Sequence, residues 1–239
     1  MKLAILIPTY KRKGQPLYLK RALDSIFNQT HQDFIVYVIG DKYEDDKEFT
    51  EICSSYDQSK IYFENLPEAK ERDRYGKGWS LWSYGGVNAT NHAIRKALDD
   101  GHSWIAHLDH DDVWMPNHLE VIHKCIEETQ ADWMCTKCVY GGYGHYPQIN
   151  GEPDSYISYL PRHAKLIHTS VCMNFRTIPF EYRDLGYING ELMNITANDL
   201  PADGDLWNRC NPYIQENGLK SYCINTVTCA HMEEGFERT

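Results

Sequence analysis

The sequence predicts an α/β fold with a mixed, mostly parallel central sheet flanked by helices. Strand-like and helix-like segments alternate along the first half of the chain, and the short apolar strands stop at Gly, Pro or Asp. The chain has 239 residues, of which 42% are hydrophobic, and its charge is spread along its length. Such a chain can bury one large core, so we expect a single domain over residues 1–239, with two smaller domains as the alternative.

Hydrophobic spacing predicts the individual elements. An apolar run over residues 2–7 stops at Pro8, and the helical spacing of Leu19, Leu23 and Ile26 follows it. A β-branched run over 34–39 stops at Gly40 and completes a βαβ unit. The other elements expected are helices at 45–56, 87–98, 119–126 and 203–217 and strands at 60–64, 104–108, 132–139, 168–175 and 222–227.

Two segments show neither a helical nor a strand-like hydrophobic period. Residues 65–84 combine Pro, Gly and charge, which is typical of a mobile functional loop, and a disordered surface excursion is the alternative. Residues 141–154 are rich in Gly, Tyr, Pro and Asn and also read as a loop.

An acidic cluster, Asp109-His110-Asp111-Asp112, follows the predicted strand at 104–108, just as Asp41 follows the strand at 34–39. Ligands of open α/β sheets bind at the edge where the strands end. Two carboxylates at i and i+2 offer the hard oxygen ligands that Mg²⁺ and Mn²⁺ prefer. Because turns are rich in Asp for reasons of backbone hydrogen bonding, this pattern alone is a weak signal.

The composition disfavours several classes of partner. The formal net charge of −10 opposes non-specific binding to nucleic acid or to an anionic membrane. No stretch approaches the length of a transmembrane span, and the apolar start of the chain is too short for a secretory signal. We therefore expect a cytoplasmic protein.

Eight cysteines occur in a chain too large to depend on disulfides, so we expect reduced thiols. Cys135 and Cys138 form a single C-x-x-C motif inside an apolar run. A zinc site would require a second pair, and a thioredoxin-like site would require a helix start. We therefore interpret both as buried strand thiols.

The order of motifs resembles that of the family 2 glycosyltransferases, which have a Rossmann-like GT-A fold. The shared features are a first strand ending in Pro8-Thr9-Tyr10, a second ending in Asp41, a helix that carries Ala-x-Asn, and an apolar strand that enters Leu-Asp-x-Asp-Asp. The last two are Ala89-Thr90-Asn91 and Leu108-Asp109-His110-Asp111-Asp112. The combination spans about half of the chain and is more specific than any part.

The resemblance implies roles in donor binding. Pro8, Thr9 and Tyr10 would line the nucleoside pocket, Asp41 would accept hydrogen bonds from the base, and Asn91 belongs to the donor-binding set. Asp109 would lie near the ribose or phosphates, Asp111 would bind the metal directly, and Asp112 would support the turn. Arg74, with Arg72 and Lys77, could reach the diphosphate from the 65–84 segment, although solvated charge is the alternative.

The second half resembles the family at two points. Asp203-Gly204-Asp205-Leu206-Trp207 is similar to the segment whose first aspartate is the catalytic base, which selects Asp203. The usual Glu is replaced by Ala202, so Asp205 remains a competitor, and helix capping is the alternative for either residue. His231, after the last strand, is placed like a histidine that completes the metal site in this fold.

The resemblance implies a metal-dependent inverting glycosyltransferase that uses Mn²⁺ or Mg²⁺ and a nucleotide-sugar, with a UDP-sugar as the expected donor and a glycan or other hydroxyl compound as acceptor. Residues 1–115 would bind the donor and 116–239 the acceptor. A nucleotidyltransferase is one alternative, although residues 8–14 hold one glycine rather than a Gly-rich phosphate loop. A non-catalytic module that binds glycans or nucleotide-sugars is another, since the Tyr-rich stretch 140–159 suits sugar stacking in either case.

Overall fold

A computed structural model describes residues 1–11 and 17–232, and the part of the 8–14 segment that follows Lys11 lies outside them. The strands are β1 (Leu3–Thr9), β2 (Phe34–Gly40), β3 (Ile61–Asn65), β4 (Trp104–His107), β5 (Val113–Trp114), β6 (Trp133–Tyr140), β7 (His145–Tyr146), β8 (Tyr156–Ser158), β9 (Val171–Asn174), β10 (Tyr187–Ile188), β11 (Glu191–Leu192) and β12 (Ser221–His231). The α-helices are α1 (Leu17–Phe27), α2 (Asp46–Ser54), α3 (Lys70–Tyr75), α4 (Trp79–Tyr84), α5 (Val87–Asp99), α6 (His118–Thr129) and α7 (Ala202–Glu216).

Ten of the described strands form a mixed sheet in the order β3-β2-β1-β4-β9-β6-β12-β5, with β7 beside β6 and β8 beside β12, and β10 and β11 pair as a separate antiparallel hairpin. Strands β1 to β4 run parallel to one another, as do β6 and β12. Strand β9 is antiparallel to both of its neighbours and joins the two parallel groups. The mixed, mostly parallel sheet predicted from the sequence is therefore confirmed.

Helices cover both faces of the sheet because side chains of a strand alternate between its faces. Leu3, Ile5 and Ile7 of β1 pack in the core with α1, α2 and α6, whereas Ala4 and Leu6 pack in the second core with α5 and α7. The parallel strands are thus buried on both faces, and their carboxyl ends are left as the open edge on which a ligand can bind.

Three segments differ from the sequence predictions. Residues 65–84, predicted as a loop, contain the short helices α3 and α4. The strand predicted at 168–175 starts with a 3₁₀ turn, His168–Ser170. Strand β12 continues beyond the predicted 222–227 to His231 because its last residues pair with both β5 and β6. Neither short helices nor irregular strand ends produce a clear hydrophobic period, which is why spacing did not reveal them.

Cys135 and Cys138 are buried on β6 in different cores, one on each face of the sheet. Residues at i and i+3 of a strand point in opposite directions, so this pair cannot chelate one ion. All eight cysteines are buried and form no disulfide, as expected of reduced thiols. Among the described helices, none combines the length and hydrophobicity of a membrane span.

Candidate active site

The carboxyl ends of β2, β1 and β4 lie side by side and bring three of the predicted motifs to one edge. The Asp41 N–H donates to Thr9 O at 2.7 Å, and the Leu108 N–H donates to Leu6 O at 3.0 Å. The parallel pairing therefore continues to the last residue of each strand. This register fixes the start of each loop that carries a candidate side chain.

Asp41 and Thr9 form a buried polar pair at this edge. Each is 1% exposed, and Asp41 Oδ1 and Thr9 Oγ1 have no hydrogen-bond partner among the described residues. Burial raises the pKa of Asp41, although the Arg72 guanidinium opposes that rise. An unsatisfied buried acceptor costs about 1–3 kcal/mol, so a ligand donor at Asp41 Oδ1 would be favoured.

The turn after β2 is held by Asn65 at the end of β3. Asn65 Oδ1 accepts from the Tyr43 N–H at 2.7 Å, and its Nδ2 donates to Tyr43 O at 3.0 Å. A Cβ at Gly40 would lie 2.5 Å from that same Oδ1. Gly40 is therefore required for the close approach that positions Asp41.

Arg72, on α3, covers the same pocket. Its Nε lies 3.0 Å from Asp41 Oδ2, its guanidinium also donates to Asp41 O, and its Cζ is 4.6 Å from the centre of the Tyr10 ring. Glu44 accepts from its Nη1 at 2.8 Å. Helix α3 is thus anchored over the predicted nucleoside pocket by Arg72, a residue that the sequence did not separate from Arg74.

Arg74 points to a different partner from the one expected. Its Nη1 lies 2.6 Å from Asp184 Oδ2, and its guanidinium stacks on the Tyr187 ring at 3.8 Å. The diphosphate contact expected for Arg74 would require this ion pair to open. Arg74 instead ties α3 to the β10–β11 hairpin.

Asn91 is also engaged in the structure. Its Nδ2 donates to Tyr182 O and its Oδ1 accepts from the Tyr182 N–H, both at 2.9 Å. The side chain is 6% exposed. Asn91 therefore holds the segment before the β10–β11 hairpin, and any effect on a donor would be indirect.

The acidic cluster turns sharply after Leu108, with the Asp112 N–H donating to Asp109 O at 3.0 Å. Asp112 is fully buried, and its carboxylate accepts from the Met232 N–H at 2.9 Å and meets His231 Nδ1 at 3.0 Å. Burial lowers the pKa of His231, but Asp112 and the nearby charges of Asp109 and Asp111 outweigh it and raise the pKa to about 8. All three aspartates thus act on one imidazole.

The chemistry of these side chains fits a divalent cation. Asp109 and Asp111 supply hard oxygens, and Asp112 occupies His231 Nδ1, which leaves Nε2 as the ring nitrogen for a metal, as carboxylate–histidine pairs do in metal sites. No group of three or more His, Cys, Asp or Glu side chains is arranged around one point within residues 1–11 and 17–232. Mg²⁺ and Mn²⁺ sites nevertheless need few protein ligands, since phosphates and water complete the shell.

The two candidate bases have different surroundings. Both carboxylate oxygens of Asp205 are held by arginines, with Arg183 Nε at 2.9 Å and Arg209 Nε at 2.8 Å from Oδ2. Burial raises the pKa of Asp205, but the two guanidinium groups outweigh it and the pKa is lowered. Asp203 is half-buried in the first turn of α7, and among the described residues its hydrogen bond is a local one, from the Gly204 N–H. Of these two aspartates, Asp203 has no arginine partner among the described residues.

His168, which the sequence analysis did not single out, connects Asp109 of the acidic cluster to Tyr182, on the segment before the β10–β11 hairpin. Its Nδ1 lies 3.2 Å from Asp109 Oδ1 and its Nε2 lies 2.7 Å from the Tyr182 hydroxyl. Burial lowers the pKa of His168, but the carboxylates of Asp109 and Asp203 outweigh it and raise the pKa. The His168 ring also lies 6.1 Å, centroid to centroid, from the Trp207 ring of α7, the helix whose first turn carries Asp203. No motif spacing could have indicated the contact between His168 and Asp109, which are 59 positions apart.

Comparisons with known proteins show the family to which the sequence is similar. The family model described as "Glycosyl transferase family 2" matches residues 4–178. An uncharacterised glycosyltransferase of Acanthamoeba polyphaga mimivirus is 33% identical over 98% of this chain and 95% of its own length.

Two solved structures share the fold at low identity. One is S. aureus TarS in complex with UDP-GlcNAc, with a TM-score of 0.68 and 14% identity over all of this chain and 61% of that chain. The other is the mannosyltransferase PcManGT from Pyrobaculum calidifontis in complex with GDP-Man and Mn²⁺, with a TM-score of 0.60 and 13% identity over 98% of this chain and 58% of that chain.

Proposed function

The chain belongs to glycosyltransferase family 2, and on that basis we propose that it catalyses metal-dependent, inverting transfer of a sugar from a nucleoside diphosphate to an acceptor hydroxyl. The proposed donor is a UDP-sugar, and the proposed acceptor is a glycan or another hydroxyl compound. The observation that carries this proposal is the His168 bridge, because it joins Asp109 of the acidic cluster to the Trp207 ring of α7, the helix that carries Asp203. Residues 1–115 are proposed to bind the donor and 116–239 the acceptor.

The nucleoside is proposed to bind at Asp41, Thr9 and Tyr10. The unsatisfied Asp41 Oδ1 supports this, since an N–H of the base would satisfy it. Arg72 lies on the same carboxylate and on the Tyr10 ring. Helix α3 would therefore close over the base, and the rest of the 65–84 segment would exclude water from the donor.

The cation, Mn²⁺ or Mg²⁺, is proposed to bind to Asp111 and Asp109, with His231 as a further ligand. When bound, it would stabilise the charge of the departing diphosphate. Asp112 would hold the His231 ring in one orientation through Nδ1. Binding at His231 would release a proton, because only the neutral imidazole is a ligand.

Asp203 is proposed as the general base. Its carboxylate takes the proton of the acceptor hydroxyl while that oxygen forms a bond to the anomeric carbon, and the bond from the anomeric carbon to the diphosphate breaks on the opposite face. Attack opposite to the leaving group inverts the anomeric configuration. The arginine pairs of Asp205 favour a structural role for that residue.

The cytoplasm is the proposed compartment, which eight buried and free thiols would suit. A binding module without catalysis would differ from the proposed enzyme in one simple measurement. The enzyme should slowly hydrolyse UDP-GlcNAc in a metal-dependent reaction, and a binding module should not.

Two substitutions test the assignment. Asp111→Asn should weaken Mn²⁺-dependent binding of UDP-GlcNAc by at least about tenfold in calorimetry. Asp203→Asn should keep that affinity and lower turnover by about 10²–10⁴-fold. EDTA should abolish both binding and turnover, and Mn²⁺ should restore them.

The matched control is Asp57→Asn, since Asp57 is exposed in the turn before β3 and should behave as the unchanged protein. Normal turnover in Asp111→Asn or Asp203→Asn would contradict the assignment. Equal donor binding in EDTA and in Mn²⁺ would contradict the role of the metal.

A further inference from the structure

Two adjoining cavities lie beside the second half of the sheet, outside the donor site. One, of about 550 Å³, is lined by Tyr146, Tyr159, Arg162 and Lys165 among others, and the second, of about 440 Å³, includes Lys137 and His145. Gln148 lines both, so the two cavities form one groove. Binding sites for small ligands typically have volumes of about 300–1,000 Å³.

The groove is cationic in a chain whose formal net charge is −10. No Asp or Glu lines either cavity. Among the described residues, no carboxylate forms an ion pair with Arg162 or Lys165, and Lys137 Nζ donates to the neutral Asn225 Oδ1 at 3.2 Å. By contrast, an ion pair with a carboxylate is formed by each of Arg72, Arg74, Arg95, Arg183 and Arg209. Within residues 1–11 and 17–232, no ion pair thus offsets the positive charge of Arg162 and Lys165.

Aromatic contacts connect this groove to the proposed metal residue. The Tyr140 ring stacks on the His231 ring, with centroids 4.9 Å apart. The same Tyr140 ring contacts Tyr146 of the larger cavity at 5.9 Å and Tyr143 of the smaller one at 5.4 Å. The groove therefore begins one ring, that of Tyr140, away from His231.

A second contact connects the groove to the proposed base. His163 lies between Arg162 and Lys165 in the sequence. Its backbone N–H donates to Asn208 Oδ1 on α7 at 3.3 Å. Its imidazole lies where a Cβ at Gly204 would collide with it. Gly204 follows Asp203, so the cationic wall of the groove packs directly on the turn that carries the proposed base.

We propose that this groove binds an anionic group of the acceptor, so that the acceptor is a glycan that carries a phosphate or a carboxylate. The proposal rests on the proposed glycosyltransferase function and specifies its acceptor. Arg162 and Lys165 supply the charge-assisted hydrogen bonds that such oxyanions need. Tyr146 and Tyr159 supply apolar ring surface on which a sugar can stack, and each ring carries a polar hydroxyl.

Pairs of probes with and without an anionic group test the groove by calorimetry on the whole chain without a donor. Tetragalacturonate is compared with its methyl ester, and glucose 6-phosphate with glucose. We expect at least one anionic probe to bind about tenfold or more tightly than its neutral partner, since hydrogen bonds to charged groups are the stronger ones. The first pair reports a carboxylate acceptor and the second a phosphate acceptor.

The double variant Arg162→Gln with Lys165→Gln should remove that preference. The control is Lys47→Gln with Lys124→Gln, which makes the same change in net charge on exposed helix positions whose ion pairs are 3.7 and 3.9 Å long. Equal affinity for charged and neutral probes, including no binding of either, would overturn the proposal. So would an unchanged preference in the double variant, or its equal loss in the control.

Failure of this proposal is distinct from failure of the proposed function. Metal-dependent binding and hydrolysis of UDP-GlcNAc depend on Asp41, Asp109 and Asp111, none of which lines the groove. The double variant should therefore keep donor affinity and donor hydrolysis within about twofold, since both cations are exposed surface residues. A chain that hydrolyses the donor but ignores probe charge would refute the groove alone.

Discussion

Replacing Asp205 with Asn tests whether this aspartate is structural, in contrast to the proposed base Asp203 two residues before it. The Asp205 side chain is 7% exposed and is shared by Arg209, which is 20% exposed, and Arg183, which is 53% exposed. Removing one partner of a buried ion pair costs about 3–5 kcal/mol. Because Arg183 can return to water and Asn keeps one acceptor oxygen, we expect a loss of about 2 kcal/mol.

That loss corresponds to a decrease in Tm of about 4–8 °C for a chain of this size. Asp203→Asn leaves an amide oxygen that can still accept the local hydrogen bond from the Gly204 N–H, so its free energy of unfolding should change by no more than about 0.5 kcal/mol. Circular dichroism gives the Tm of both variants, and initial transfer rates are measured well below either transition. Asp205→Asn should lose stability and keep its rate per folded molecule, whereas Asp203→Asn should do the reverse. A stable Asp205→Asn variant without transfer activity would make Asp205 the base and refute this reasoning.

Two further predictions concern the turn after β2 and the response to acid. In Gly40→Ala the new Cβ would meet Asn65 Oδ1 at 2.5 Å, so urea unfolding should show a loss of about 1–3 kcal/mol, with weaker UDP-GlcNAc binding in calorimetry. Gly142→Ala, where nothing lies within 4 Å, is the control, and equal stability of the two variants would contradict the clash. Because the pKa of Asp205 is lowered in the folded state, its stabilisation is present above its unfolded pKa of about 3.9 and is lost as the pH falls through the folded value. The acid limb of the pH–stability curve should therefore be flatter in Asp205→Asn, and parallel curves would contradict this.

Local patterns in the sequence were sufficient for the parallel half of the sheet. For strand β2, helix α1 and helix α5, the predicted ends lie within two residues of the observed ends. Each of these elements packs against its neighbours with a regular hydrophobic pattern. The edge that carries Asp41 and Asp109 follows from where those strands stop. The family resemblance then identified the glycosyltransferase, which the comparisons confirm.

Spacing could not predict which charged side chains pair with one another. Arg72 and Arg74 are equivalent in sequence, yet one covers Asp41 and the other binds Asp184. The family resemblance selected Asp203 but left Asp205 as a competitor, because the arginine that helps to neutralise Asp205 comes from position 183.

The sequence by itself determined the α/β class, the strand ends that carry the acidic cluster and the family, because hydrophobic period and motif order are properties of neighbouring residues. Only the tertiary structure decided that His168 bridges to Asp109 and that Arg162 and Lys165 face a cavity without a carboxylate. The physical reason is that hydrogen bonds and ion pairs form through space within a few ångströms. Which groups become partners depends on how the two halves of the sheet pack, and the separation of two residues along the chain does not show whether packing brings them together.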